Sequence, residues 1–386
     1  MVAPVDYVLD PRFSRTFELP ADPASNGRTG PFKVKYADYG YRNDAHPEQE
    51  NALLFFGPLM ASRLFHIAKD ELAKRRKIRI INLDRPGIGG TDPADAKDRM
   101  SLWLDVIPAL LAHLGISHVS VACHSGGTIW ALDFILHQPQ LLHPSRPYLA
   151  IGGPWILPTH TNSTSLSILQ HLPVSVLANT DKFARLVNNH IGPTLGASFG
   201  FTLDILVKLV PASFMKESNV VNDDNDANGG ANAEPEGASF EEEIWASIID
   251  RVYADGVQGI SVEAVLLMQR IDGVDGWGDW GDYDKFVPRL AEALRAAGMR
   301  LRVDVFYAEK DHMIGDGGSK GPLWFDQCWN ETSRGGVIDY QSRTVKGADH
   351  DRIWNLRWGT MQEVFERIGE PVGGDASNAG EEMQLQ

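Results

Sequence analysis

The sequence predicts an α/β fold: a mostly parallel sheet flanked by helices, interrupted by an inserted block of helices. Three observations point there. Short continuous apolar runs at residues 52–56 and 78–83 end in Gly-Pro and Asp-Arg-Pro-Gly, and such runs suit strands buried on both faces of a parallel sheet. Helix-period segments alternate with strand-like runs up to about residue 155, and the alternation returns near residue 301. Between about 158 and 287 the pattern is helical, with no strand-like run.

Taken in order, residues 15–19 and 33–39 flank a Gly-, Pro- and Asn-rich turn at 20–31 and predict an antiparallel hairpin. Residues 63–76 place Leu64, Ile67, Ala68 and Leu72 at helical spacing, with Lys74, Arg75 and Arg76 suiting the C-terminal end of the dipole. With the two apolar runs around it, this makes one βαβ unit. A helix at 102–114, closed by Gly115, leads into a strand at 118–122; a Ser-Gly-Gly turn then opens a helix at 128–137, and 148–152 is the sixth strand. Strands at 301–307 and 338–345 and a helix at 354–368 complete the core.

The expected organisation is a core of residues 1–157 and 288–372 around an insertion of 158–287. Residues 217–243 carry Asp223, Asp224, Asp226, Glu234, Glu236 and the triplet Glu241, Glu242, Glu243 amid Asn, Gly and Ala, and predict a disordered acidic loop. Residues 273–283, with Trp277 and Trp280 among Gly and Asp, predict the loop returning to the core, and 373–386 a disordered tail.

Composition bounds the function. With 386 residues, 43% of them hydrophobic, the chain can bury a large core. Its 36 Lys and Arg against 51 Asp and Glu leave a net charge of -15, which repels nucleic acid and anionic membranes; a neutral or apolar small molecule fits that field better. Cys123 and Cys328 cannot make a disulfide framework, and the first residues lack the basic start and apolar run of a signal peptide, so a cytoplasmic location is expected. His118, His124 and Asp133 interrupt the most apolar stretch, 116–136, so no membrane span is expected. No HExxH or comparable ligand spacing is present, so neither metal nor cofactor is implied.

The sharpest chemical signal is Cys123-His124-Ser125-Gly126-Gly127, where a strand passes through a small-x-Ser-x-Gly turn directly into a helix. So tight a turn strains the serine and leaves the Gly126 amide at a helix N-terminus, where it can stabilise an oxyanion. Here the sequence resembles the α/β-hydrolase superfamily, whose elbow is usually Gly-x-Ser-x-Gly; Cys123 stands in place of the first Gly. Residues 82–92, Asn-Leu-Asp-Arg-Pro-Gly-Ile-Gly-Gly-Thr-Asp, resemble the family's loop after the fourth strand. A dinucleotide turn is the rival reading there. Asp84-Arg85-Pro86 separates those glycines from the strand and Pro93 opposes an immediate helix, so it is rejected.

The resemblance extends to three further positions. Residues 55–60 occupy the place of the family's His-Gly-x after the third strand. Phe56 replaces the His and Pro58 has no amide hydrogen, so the second oxyanion donor falls to Leu59 or, failing that, Met60. Residues 308–314 resemble the segment bearing the catalytic acid after the seventh strand and match it at Asp311, with Glu309 and Asp316 as competitors. Residues 346–352 resemble Gly-x-x-His-x and match the base at His350. His312 is its main rival, but sequence neighbours on an extended loop point apart. His124 either lines the pocket or packs.

The resemblance implies an α/β-hydrolase fold with a helical cap inserted after the sixth strand; Phe183, Phe199, Phe201, Phe214 and Trp245 in the cap suit a lid over an apolar substrate, but for most of them holding the cap helices together is the better reading. It implies Ser125, Asp311 and His350 as catalytic residues, the amides of Gly126 and Leu59 as oxyanion hole, and cleavage of an ester, lactone or related acyl bond through an acyl-enzyme. A serine elbow disfavours epoxide hydrolase and haloalkane dehalogenase chemistry, which needs an aspartyl ester. The alternatives are a transacylase or C–C lyase on the same triad, a noncatalytic ligand-binding member of the fold, or a scaffold that docks through the acidic loop.

Overall fold

In the computed structural model, residues 4–24, 28–43, 45–46, 50–59, 62–161, 163, 230, 233–269, 281–311, 313–315 and 320–369 are described. Eight strands form one sheet: β1 (Arg15–Leu19), β2 (Phe32–Gly40), β3 (Asn51–Phe56), β4 (Ile78–Leu83), β5 (Ser120–Ser125), β6 (Tyr148–Pro154), β7 (Leu301–Lys310) and β8 (Ile338–Asp349). Their order is β1-β2-β4-β3-β5-β6-β7-β8. The β1/β2 and β2/β4 pairs are antiparallel and every other pair is parallel, so the expected hairpin forms, and it lies at one edge of the sheet. Every residue of β4, β5 and β6 is buried, which is why these strands are continuous apolar runs and not alternating ones.

The described helices are α1 (Pro4–Val8), α2 (Asp70–Arg75), α3 (Arg99–His113), α4 (Gly127–His137), α5 (Pro235–Asp255), α6 (Gly259–Leu267), α7 (Tyr283–Ala296), α8 (Pro322–Cys328), α9 (Glu331–Arg334) and α10 (Thr360–Gly369). None of them is long and apolar enough to cross a membrane. Helix α4 runs directly out of β5 and packs on β3, β6 and α7, so the β5–α4 junction sits at the centre of the sheet's C-terminal edge.

The last helix, expected over 354–368, is α-helical only from Thr360, and the last two strands run on to Lys310 and Asp349; four further differences from the sequence expectation bear on packing. The helix expected over 63–76 is α-helical only from Asp70, because Arg63 is held in a turn: its amide donates to Asp84 Oδ1 at 2.5 Å and its Nε to the Phe13 carbonyl at 2.8 Å. The strand expected to end at 122 continues to Ser125, where it pairs with Pro154 of β6. The core boundary drawn at 287/288 cuts α7, which buries Tyr283, Phe286, Val287, Leu290 and Leu294 on one face and so belongs wholly with the core packing.

The fourth concerns the acidic loop. Residues 235–243 are not a loop but the first turns of α5. Their acids have counter-ions on the core: Glu241 is buried 2.5 Å from Lys69 Nζ and accepts the Leu356 amide at 3.0 Å, Glu242 meets Arg357, and Glu234 meets Arg75. Gly230 is also tied down, its amide donating to the Arg357 carbonyl. Glu236 and Glu243 are exposed on α5, while Asp223, Asp224, Asp226, the cap aromatics Phe183, Phe199, Phe201 and Phe214, Trp277, Trp280 and residues 373–386 lie outside the described residues.

Candidate active site

Strand β5 ends at Ser125, whose φ of 49° lies in the left-handed region that a residue with a side chain rarely adopts. Of the next two positions, Gly127 has to be glycine because backbone lies against it, whereas at Gly126 only a leucine methyl would have to give way. A Cβ on Gly127 would fall on the carbonyls of Phe56 and Gly57 at the end of β3, and one on Gly126 would lie 2.8 Å from Leu267 Cδ1. The helix can therefore leave the strand at once, hard against the β3 loop. Cys123 is completely buried and its carbonyl accepts the Trp354 indole N–H at 3.2 Å; a thiol fits where the family writes glycine, and burial pushes its pKa up, so it stays neutral.

The loops after β7 and β8 converge on the same point. His350 Nε2 lies 3.0 Å from Ser125 Oγ, and His350 Nδ1 lies 2.6 Å from Asp311 Oδ2. The other Asp311 oxygen, Oδ1, accepts the amides of Met313 and Ile314 at 2.9 and 3.1 Å, which holds the carboxylate in one orientation. Gly153, at φ 50°, passes beneath the pair: a Cβ there would be 3.1 Å from His350 Nδ1. Glu309, the competing acid, points elsewhere and accepts the Gly347 amide at 2.9 Å. Asp316, His312 and Met60 lie outside the described residues.

All three side chains are buried, with Ser125 only 5% exposed. The hydroxyl is not open to solvent, and Leu267 of α6 packs against Gly126 beside it. Burial disfavours the charged form of His350, but the Asp311 charge and its hydrogen bond, helped by Asp351 and Asp349, outweigh it and raise the pKa above the ordinary imidazole value. His124 goes the other way: burial, then the nearby His350, pull it down to about 3, so its ring is neutral. His124 Nε2 lies 2.8 Å from the His350 carbonyl and, in the tautomer that donates, ties the base's backbone to β5.

Two backbone amides lie close together beside the serine. Leu59 N lies 3.3 Å from where a Gly126 Cβ would stand, so the two amide groups are neighbours, and among the described residues no acceptor takes either hydrogen. Chemically the arrangement offers a hydroxyl, a ring whose Nδ1 is held by a carboxylate, and two neighbouring backbone amides. Among the described residues no group of His, Cys, Asp or Glu is arranged to hold a metal ion.

Sequence reasoning missed what surrounds this set. Arg85, inside the quoted loop 82–92, is buried and donates to the Gly57 carbonyl at 2.8 Å and to the Pro58 carbonyl. Its partner is Glu263 of α6, which also takes Arg99 at 2.9 Å and the Trp130 indole N–H at 2.8 Å. The available signal was Glu263 itself, the single acid in the otherwise apolar stretch 259–268.

Comparison with solved structures places this architecture. Over 92% of its length the chain is similar to epoxide hydrolase VrEH1 from Vigna radiata, with a TM-score of 0.52, 14% identity and 95% of that chain covered. It is similar over 92% to a thermophilic esterase from Thermogutta terrifontis, with a TM-score of 0.50, 14% identity and 96% of that chain covered. Epoxide hydrolase A from Mycobacterium thermoresistibile is similar at a TM-score of 0.50 and 14% identity, covering 92% of this chain and 97% of that one. The fold is the α/β-hydrolase fold. No family model matches the sequence, and no curated protein does.

Proposed function

We propose that the protein is a serine hydrolase that cleaves an ester, lactone or related acyl bond of a small, neutral or apolar substrate through an acyl-enzyme on Ser125. The observation that carries this is the hydrogen-bonded chain Asp311–His350–Ser125 beside the two unpaired amides of Leu59 and Gly126. Neutral His350, its Nδ1–H held by Asp311, takes the Ser125 proton on Nε2 as Oγ attacks the carbonyl carbon. The two amides stabilise the oxyanion, and His350 then returns its proton to the leaving alcohol oxygen. Water, activated by the same ring, releases the acid.

The esterase among the similar structures supports hydrolysis of an ester; the epoxide hydrolases share the fold at 14% identity, but here the elbow carries a hydroxyl and not the carboxylate an alkyl-enzyme ester requires. The Leu267 side chain beside Gly126 gives the surroundings of the serine an apolar face, which suits an apolar acyl group. The test is labelling by a fluorophosphonate together with turnover of short p-nitrophenyl esters. The wild-type protein should do both, and Ser125→Ala neither, with no fall in melting temperature. Labelling that persists in Ser125→Ala overturns the proposal.

A further inference from the structure

Leu59 N–H and Pro58 C=O are the two ends of one peptide unit. No cis peptide bond is present among the described residues, and in a trans unit the carbonyl and the amide point in opposite directions. Whatever fixes the Pro58 carbonyl therefore aims the Leu59 amide. The Arg85 guanidinium does so: one nitrogen donates to the Pro58 carbonyl and another to the Gly57 carbonyl at 2.8 Å, so the carbonyls on both sides of the proline ring are held by one side chain. The proline ring removes a further freedom by fixing its own φ.

Arg85 is 2% exposed, and a guanidinium is not buried without a cost. Glu263 offsets part of that cost, its Oε1 lying 3.0 Å from Arg85 Nε, while the guanidinium carbon stands 5.4 Å above the Trp130 ring. Glu263 is fully buried and comes from α6, the helix that covers the elbow through Leu267. A strained elbow, a covering helix and an oxyanion peptide thus share one buried ion cluster.

We infer that Arg85 is a positioning residue for the oxyanion hole, presenting and polarising the Leu59 amide through the Pro58 carbonyl, with Glu263 of the covering helix holding it in place. The inference rests on the reading of Ser125 and Leu59 given above. Arg85 itself touches no reacting atom. A cation on the carbonyl makes the opposite N–H a stronger donor, so the effect is felt as negative charge grows on the substrate oxygen and much less in the ground state.

The test compares Arg85→Met, Arg85→Lys and the double variant Arg85→Met/Glu263→Gln with wild type. Arg85→Met should lose roughly a hundredfold in kcat, of the order seen for loss of one oxyanion donor, with KM changed less than about threefold. Affinity for an alkylboronic acid, which forms a tetrahedral adduct on the serine, should fall by a similar factor, and the pH midpoint of kcat/KM should stay in place. Arg85→Lys should recover part of kcat. In the double variant, which no longer buries an unmatched charge, the melting temperature should return towards wild type while kcat stays low; it also carries the comparison if Arg85→Met does not fold. Recovery of kcat together with melting temperature, or kcat within threefold of wild type in Arg85→Met, overturns the inference alone. Absence of fluorophosphonate labelling in the wild-type protein overturns the reading of Ser125, and the inference with it.

Discussion

Ser125 holds a backbone conformation that costs a residue with a Cβ about 1–2 kcal/mol, and the strain is retained because it turns the hydroxyl towards His350. Ser125→Gly should therefore raise stability to denaturant by about 1 kcal/mol while abolishing turnover; a loss of stability would mean the serine is a packing element. His350 gives the pH prediction. Its pKa is raised, and only the neutral ring accepts a proton, so kcat/KM should be lost as pH falls through a midpoint above about 6.5 and level off at higher pH. Asp311→Asn should move that midpoint down and lower the rate by several orders of magnitude. A wild-type midpoint below 6.5 would count against His350 as the base. Ser125, Asp311 and His350 were legible because the elbow demands small neighbours and each partner follows a recognisable strand. Arg85 was not legible, since whether an arginine serves solvent or a peptide carbonyl depends on Glu263, which lies 178 positions away in the chain and enters only through packing.

At the scale of elements, the β5–α4 junction reverses a general rule. Glycine inside a helix costs about 0.5–1 kcal/mol relative to alanine, so Gly127→Ala would ordinarily stabilise. Here the added methyl would meet the Phe56 and Gly57 carbonyls, atoms of backbone that cannot rotate aside. Gly127→Ala should lower stability by at least about 2 kcal/mol, read by denaturant unfolding, and displace the Leu59 amide; a neutral or stabilising result would mean that β3 and α4 are not so closely apposed. The parallel strands were legible as continuous apolar runs because helices cover both faces. Helix α5 was not: its acids look like a solvated stretch until Lys69, Arg357 and Arg75 are brought against them, and no local pattern announces those partners. The late start of α2 has the same origin, since Asp84 holds Arg63 out of the helix.

For the whole molecule, pH should act on stability through buried imidazoles. Burial drives His66 and His124 well below their ordinary values, and neither His66 nitrogen has a partner among the described residues. Below about pH 6.5 the unfolded chain protonates both rings and the folded one neither, whereas His350 is protonated in both states; stability from these rings is present above that pH and lost as pH falls, by about 2.7 kcal/mol per unit for the pair. His66→Leu should roughly halve this contribution and raise stability at pH 7, measured as the difference in unfolding free energy from wild type at pH 7 and 5.5. An unchanged pH slope would show that His66 takes up a proton in the folded state.

The same scale governs when the site comes into being. Ser125 and His350 are 225 positions apart, and both β7, which leads to Asp311, and β8, which leads to His350, follow the inserted helices. A chain emerging from the ribosome can form β1 to β6 and the elbow while its base is still unsynthesised. On the proposed reading, until the last two strands dock the serine has no group to take its proton, so a nascent or truncated chain should turn over no acyl bond. Activation is thereby tied to completion of the sheet, and the long-range pairing of β7 with β6 that completes it is the kind of contact that forms slowly.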